Sequence, residues 1–132
     1  MVLDTSAVIA ILRAEPEAEE FLALLAGAPI CRLSAASFVE AGLVIRQDQT
    51  GAYRQALEAL LDEFSIRIEP VSEHQARLAL DAHGRFGKGT GHPAALNYGD
   101  CFSYALARDA DEPLLFKGGD FSHTDVIPAR RP

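Results

Sequence analysis

Short apolar segments alternating with stretches of helical periodicity restrict the fold of this chain more than anything else in its 132 residues. Residues 1–3, 29–33, 66–71, 113–116 and 125–127 read as strands. Between the first two, residues 6–26 place Val8, Ile9, Leu12, Phe21, Leu22 and Leu25 at helical spacing, and Pro16 divides them into two helices. Glu17, Glu19 and Glu20 stand favourably near the second N-terminus. A helix from Ser34 runs through Phe38, Val39, Leu43 and Val44; after a polar break at 47–51, another covers 52–64 with Tyr53, Ala56, Leu57, Leu60 and Leu61 apolar. Ser72 opens a further helix, with Gln75 at capping-box spacing. Residues 84–99, glycine-rich and interrupted by Pro93, read as a long loop with short helical pieces, after which Asp100 starts a helix through Cys101, Tyr104, Ala105 and Arg108.

Strands separated by helices need right-handed crossovers, which implies an α/β protein with a mostly parallel sheet covered on both faces. The length suits one domain, 1–132, and the 48% hydrophobic content supplies a core. The apolar runs at 7–12 and 21–25 fall far short of the roughly 18 residues of a bilayer span. No basic segment precedes an apolar one at the N-terminus, so the expectation is a cytoplasmic protein without a membrane association. Cys31 and Cys101 lack zinc-knuckle or redox spacing and read as structural thiols of a reducing compartment.

In parallel sheets, sites gather beyond the carboxyl ends of the strands, where Asp4 and Asp120 are expected. Asp4 follows an apolar strand and precedes Thr5 and Ser6; it suits either a metal ligand or a helix cap. Glu40 would complete a capping box with Ser37, or, if Ser34 is the cap, stand nearly two turns inside an apolar helix. Asp100 has the alternative of a bare N-cap and Asp120 that of a turn residue after Gly118 and Gly119. Together the four suggest more than any one does. Converging carboxylates repel unless a cation offsets them, and magnesium or manganese takes oxygen ligands, positions water and offsets charge on a phosphate. Zinc is poorly supported, because His74, His83, His92 and His123 are scattered.

A formal net charge of −7 argues against a nucleic-acid partner on charge alone, although bound cations invert the field locally. It also suits a basic protein partner.

Read with their contexts, these acids resemble those of PIN-domain ribonucleases, particularly VapC-type toxins. The resemblance is carried by Val2, Leu3, Asp4, Thr5 and Ser6; by the stretch 34–40; by Leu96, Asn97, Tyr98, Gly99, Asp100 and Cys101; and by Phe116, Lys117, Gly118, Gly119, Asp120 and Phe121 with Thr124 and Asp125. It implies a three-layer α/β/α sandwich and a metal-dependent endoribonuclease, the toxin of a type II toxin-antitoxin pair. By the same resemblance, Asp4, Glu40, Asp100 and Asp120 are the catalytic and metal-binding acids, Mg2+ or Mn2+ is the cofactor, and Thr5, Ser6 and Thr124 are supporting polar positions. Asp125 stays open as a sharer of the fourth acidic role. Gly119 departs from the asparagine or other polar residue common before the last acid, and should loosen that turn. The family further implies a homodimer and a tightly bound antitoxin, although the apolar faces of 6–26 and 52–64 could instead be consumed by the core.

Arg85, Lys88 and His92, in the glycine-rich stretch, are the candidates for RNA contact, against a reading as solvated loop charges. The rivals to a ribonuclease are a non-catalytic RNA-binding or protein-interaction module with the same fold, and a phosphatase or DNA nuclease using the same metal chemistry.

Overall fold

Adjacent strand residues point to opposite faces, so Val2 and Leu3 commit β1 to cores on both sides. The structure, a computed structural model, describes residues 1–48 and 51–131. Its elements are β1 (Val2–Leu3), α1 (Thr5–Leu12), α2 (Ala18–Gly27), β2 (Arg32–Ser34), α3 (Ala35–Arg46), α4 (Gly51–Glu63), β3 (Arg67–Glu69), α5 (Glu73–Phe86), α6 (Tyr98–Ala110), β4 (Leu114–Leu115) and a 3₁₀ turn at Asp120–His123. Within the expected break at 47–51, residues 49 and 50 lie outside the described residues.

All pairings are parallel, in the order β3-β2-β1-β4. Leu3, paired with Leu33 and Leu115, packs with Val8, Phe21, Ile45 and Leu57 from α1 to α4. Val2 and Leu114 pack on the opposite face with Ala79, Phe86, Tyr104 and Ala105 from α5 and α6. This is the three-layer α/β/α arrangement. Burying each large apolar side chain contributes about 1.5–3 kcal/mol. From β1 the chain moves to β2 and β3 on one side, then returns through α5 and α6 to β4 on the other. The chain order thus reverses beside β1, placing the residues that follow β1 and β4 at a topological switch point, where α/β sheets open a crevice.

Three expectations change. Helix α5 continues through Gly84 to Phe86, because the buried stripe Gln75, Ala79, Ala82 and Phe86 outweighs roughly 1 kcal/mol for a helical glycine. The loop therefore shrinks to 87–97, and α6 starts at Tyr98 behind the N-cap Asn97, not at Asp100. The segment 125–127 is not a strand: it joins the sheet at a single bridge, Leu114 to Pro128, and Pro128 has no N–H to extend a ladder.

Cys31 and Cys101 are buried free thiols, and burial pushes both up, Cys101 to about 11. Among the described residues, no helix is long and apolar enough to cross a membrane.

Candidate active site

Asp4 leaves the sheet at the end of β1, its backbone N–H still donating to Leu115 O at 2.9 Å. One carboxylate oxygen, Oδ2, accepts from the Ser6 N–H at 3.0 Å, which is the capping role at α1. The other, Oδ1, is buried without a hydrogen-bond partner, on a residue only 3% exposed. A surface cap would turn that oxygen to water. Leaving a buried acceptor unmatched costs about 1–3 kcal/mol, and more for a charged group. Asp4 therefore caps with one oxygen and leaves the other buried and unmatched.

Ser34 caps α3 by accepting from Ala36 N–H, which places Glu40 well inside the helix rather than in its first turn. The hydroxyls of Ser37 and Ser103, 1% and 0% exposed, hydrogen-bond at 3.1 Å and fasten α3 to α6. One turn along from that pin, the Glu40 carboxylate lies against Gly99 in the first turn of α6.

Asp100 is the third residue of α6 and half of a capping box. Its Oδ2 accepts from Asn97 N–H at 3.0 Å, while Asn97 Oδ1 accepts from Asp100 N–H at 2.9 Å. Burial, and then the charges of Asp4, Glu40 and Asp120, push the Asp100 carboxyl up to about 6 against the opposing pull of the Asn97 N–H. Four acids distant in sequence thus share one electrostatic neighbourhood.

Asp120 opens the 3₁₀ turn and is exposed. Gly119 before it takes an ordinary right-handed conformation (φ −103°, ψ −9°), so the turn does not draw on glycine's freedom there; Gly118, at φ +93°, does. The turn is anchored by buried Phe121 against Phe116, with ring centroids 5.2 Å apart, and by Lys117 N–H donating to Ser6 Oγ at 3.0 Å.

Among the described residues, no three Asp, Glu, His or Cys side chains stand close enough to enclose a metal ion as placed. The donor set nonetheless fits a hard divalent cation. Every donor is oxygen, Asp4 Oδ1 is buried and unmatched, and Gly99 leaves room for the Glu40 carboxylate beside Asp100.

The supporting positions divide. Ser6 meets Asp4 through its backbone N–H and Lys117 through its hydroxyl. Thr5 Oγ1 donates instead to Ser37 O at 3.4 Å, tying α1 to α3. Thr124 Oγ1 donates to Phe121 O at 2.7 Å and closes the 3₁₀ turn locally. Asp125 belongs to a different cluster: Tyr104 OH donates to it at 2.6 Å, and Arg85 and Arg108 lie 3.6 and 4.0 Å away. Burial works the other way, but the Tyr104 hydroxyl and the two guanidiniums hold the Asp125 carboxyl below its ordinary range.

Of the candidate RNA contacts, Arg85 is engaged with Asp125 and stacked over Phe86 at 4.5 Å. Lys88 is exposed in the 87–97 loop. His92 is half-buried, its Nδ1 accepting from Ala94 N–H at 3.1 Å and its ring edge-on to Phe86, so it folds the loop. Sequence reasoning gave no site role of their own to Asn97, Gly99 or Ser103, and read Ser37 only as a possible helix cap. The available signal was a hydroxyl, Ser103, inside the apolar helical run 101–107.

The PIN domain family matches residues 1–127. The chain is 53% identical over 126 residues to Ribonuclease VapC28 of Mycobacterium tuberculosis, covering 96% of this chain and 95% of that one. It is 43% identical over 129 residues to Ribonuclease VapC42 of the same organism, covering 98% of each. The fold superposes on that of M. tuberculosis VapC20, described as a Sarcin-Ricin loop cleaving toxin, with a TM-score of 0.78 at 20% identity over 99% and 98% of the two chains. A toxin-antitoxin complex from Klebsiella pneumoniae gives 0.69 at 19% identity over 99% and 98%. The chain belongs to the PIN domain family, among its VapC ribonucleases.

Proposed function

We propose that this protein is a divalent-cation-dependent endoribonuclease, the toxin of a type II toxin-antitoxin pair, with Asp4, Glu40, Asp100 and Asp120 as its catalytic and metal-binding acids. The observation that carries the site assignment is the buried, unmatched Oδ1 of Asp4, a residue whose charge reaches Asp100 together with those of Glu40 and Asp120. A Mg2+ or Mn2+ ion held there would supply an activated water for attack at phosphorus and offset charge on the phosphate.

The chain's own residues divide the remaining work. Ser6 N–H fixes Asp4 Oδ2 and thereby directs Oδ1 away from the cap. Glu40 presents its carboxylate at the N-terminal turn of α6, where the helix dipole favours negative charge. Asp100, with a carboxyl near 6, exchanges its proton close to neutral pH and is suited to receive one through water; Asp120, exposed, is the alternative acceptor. Water adds at phosphorus as the bond to the leaving oxygen breaks, and that oxygen takes a proton from solvent. Lys88 and Arg85 supply basic contacts for RNA otherwise facing a chain of net charge −7.

An antitoxin as protein partner and a homodimer complete the reading. Exposed Val39 and Leu43 on α3, and Leu80 and Tyr98 on α5 and α6, are apolar surface suited to protein contacts. The buried free thiols suit action in the cytoplasm.

The test is cleavage of RNA, single-stranded DNA and a phosphomonoester by the purified protein with Mg2+, Mn2+ or EDTA. RNA alone should be cut, and only with cation. Because losing a residue that merely supports a ligand costs about 10–100-fold, Asp4→Asn and Asp100→Asn should each cost about 100-fold or more. Intact cleavage by either variant would sink the assignment.

A further inference from the structure

We infer that Gly99 is a positioning residue whose missing side chain forms the recess that seats the Glu40 carboxylate beside Asp100. The inference rests on the metal-site reading above and adds to it the device that places one of the acids.

A glycine in a helix costs roughly 0.5–1 kcal/mol relative to alanine, so its presence in α6 asks for a reason. Backbone conformation is not that reason, since Gly99 lies in regular helix and Gly118, Gly89 and Gly91 are the glycines with positive φ. Space is. A Cβ at position 99 would fall 2.0 Å from Glu40 Oε2, 2.6 Å from Cδ and 2.7 Å from Oε1. The helical glycines Gly27, Gly42, Gly51 and Gly84, by contrast, have nothing within 4 Å of that position.

The close approach is built by the packing of α3 on α6. Ser37 and Ser103 fix the register of the two helices through their buried hydrogen bond. Glu40 is one turn after Ser37 and Gly99 one turn before Ser103, so the pin carries Glu40 onto Gly99. First-turn amides of a helix have no intrahelical acceptor, and a carboxylate beside them is favoured by the dipole as well.

Two groups could yield if a methyl were added: the helix pair or the end of the glutamate. Ser37 and Ser103 hold the helices, whereas Glu40 turns about its side-chain bonds. Gly99→Ala should therefore leave the fold intact and displace the carboxylate by about 1 Å or more, since real contacts of this kind do not come under 3.0 Å.

The experiment is a double-mutant cycle read by calorimetric Mn2+ binding, with helix circular dichroism on melting as the fold control and crystal structures of the metal-free wild type and Gly99→Ala. Gly99→Ala should melt at or above the wild-type temperature and bind Mn2+ about tenfold more weakly or worse. Gly42→Ala, on α3 with open space, should bind within about twofold of wild type. In a Glu40→Asp background, where the acid is one methylene shorter, the added Gly99→Ala should cost much less than in wild type. An equal penalty in both backgrounds, unchanged Mn2+ affinity, failure of Gly99→Ala to fold, or a Glu40 carboxylate unmoved in the crystal would each overturn the inference. If wild type itself fails to bind Mn2+, or Glu40→Gln binds it equally, the metal reading falls; the crystal structures then decide the placement of Glu40 alone.

Discussion

Replacing Asp100 with asparagine should stabilise the metal-free protein while abolishing its function. Asparagine keeps the capping geometry, because its side-chain oxygen can still accept from Asn97 N–H and its own N–H still donates to Asn97 Oδ1. What disappears is a charge the fold disfavours. Burial first, and the Asp4, Glu40 and Asp120 charges after it, raise the Asp100 carboxyl from 3.8 to about 6. At about 1.36 kcal/mol per unit this is at most roughly 3 kcal/mol, and partial hydration of the site brings the expected effect to about 1–2 kcal/mol. The folded chain holds this proton more tightly than the unfolded chain. Between about pH 4 and 6 the native state thus binds more protons, and its stability falls as pH rises through that window. Urea unfolding in EDTA, followed by helix circular dichroism at pH 4, 6 and 7.5, should show Asp100→Asn ahead of wild type at pH 7.5, with the lead shrinking towards pH 4. Saturating Mn2+ should reverse the order, since a ligand at 100 times its Kd adds about 2.7 kcal/mol to the state that binds it. A variant less stable than wild type in EDTA at pH 7.5, or a lead indifferent to pH, would refute the reasoning.

Ser37→Ala leaves the Ser103 hydroxyl buried and unmatched, so it should cost about 1–3 kcal/mol, with Ser37→Ala/Ser103→Ala costing less than the sum of the single changes in urea titrations. Tyr104→Phe removes the donor that helps hold Asp125 ionised. It should lower stability by about 1 kcal/mol at neutral pH, and the deficit should fade as acid protonates Asp125, as thermal melts from pH 7 to 3 would record. For RNA, Lys88→Ala should weaken binding and flatten the salt dependence by about 0.7 for each phosphate that is no longer neutralised, with Arg85→Ala adding less because Asp125 already holds that guanidinium; binding titrations at several salt concentrations check this, and an unchanged slope would remove Lys88 from the RNA surface.

Signals that act within a turn or a strand were open to sequence reasoning. Periodicity and alternation led to a parallel sheet between helical layers, and Ser34 and Ser72 both cap helices where their spacing placed them. The ordered contexts of Asp4, Glu40, Asp100 and Asp120 led to the family that the chain belongs to. The start of α6 was harder to see, because Asn97 and Asp100 cap each other and the glycines around them suggest a loop. So was the end of the chain, where 125–127 has the apolar content of a strand, yet Pro128 ends the pairing and Tyr104 draws Asp125 into a separate cluster.

By itself, then, the sequence determined the helical layers, the parallel sheet and the caps at Ser34 and Ser72, because each is set by residues near one another along the chain, and it pointed to the chemical type of the site. Tertiary structure alone decided which oxygen of Asp4 is buried and unmatched, which charges reach Asp100, and why position 99 carries no side chain. Those depend on crossovers that bring α1, α3, α6 and the loop after β4 to one end of the sheet, and a missing side chain shows its use only when its neighbour is in place.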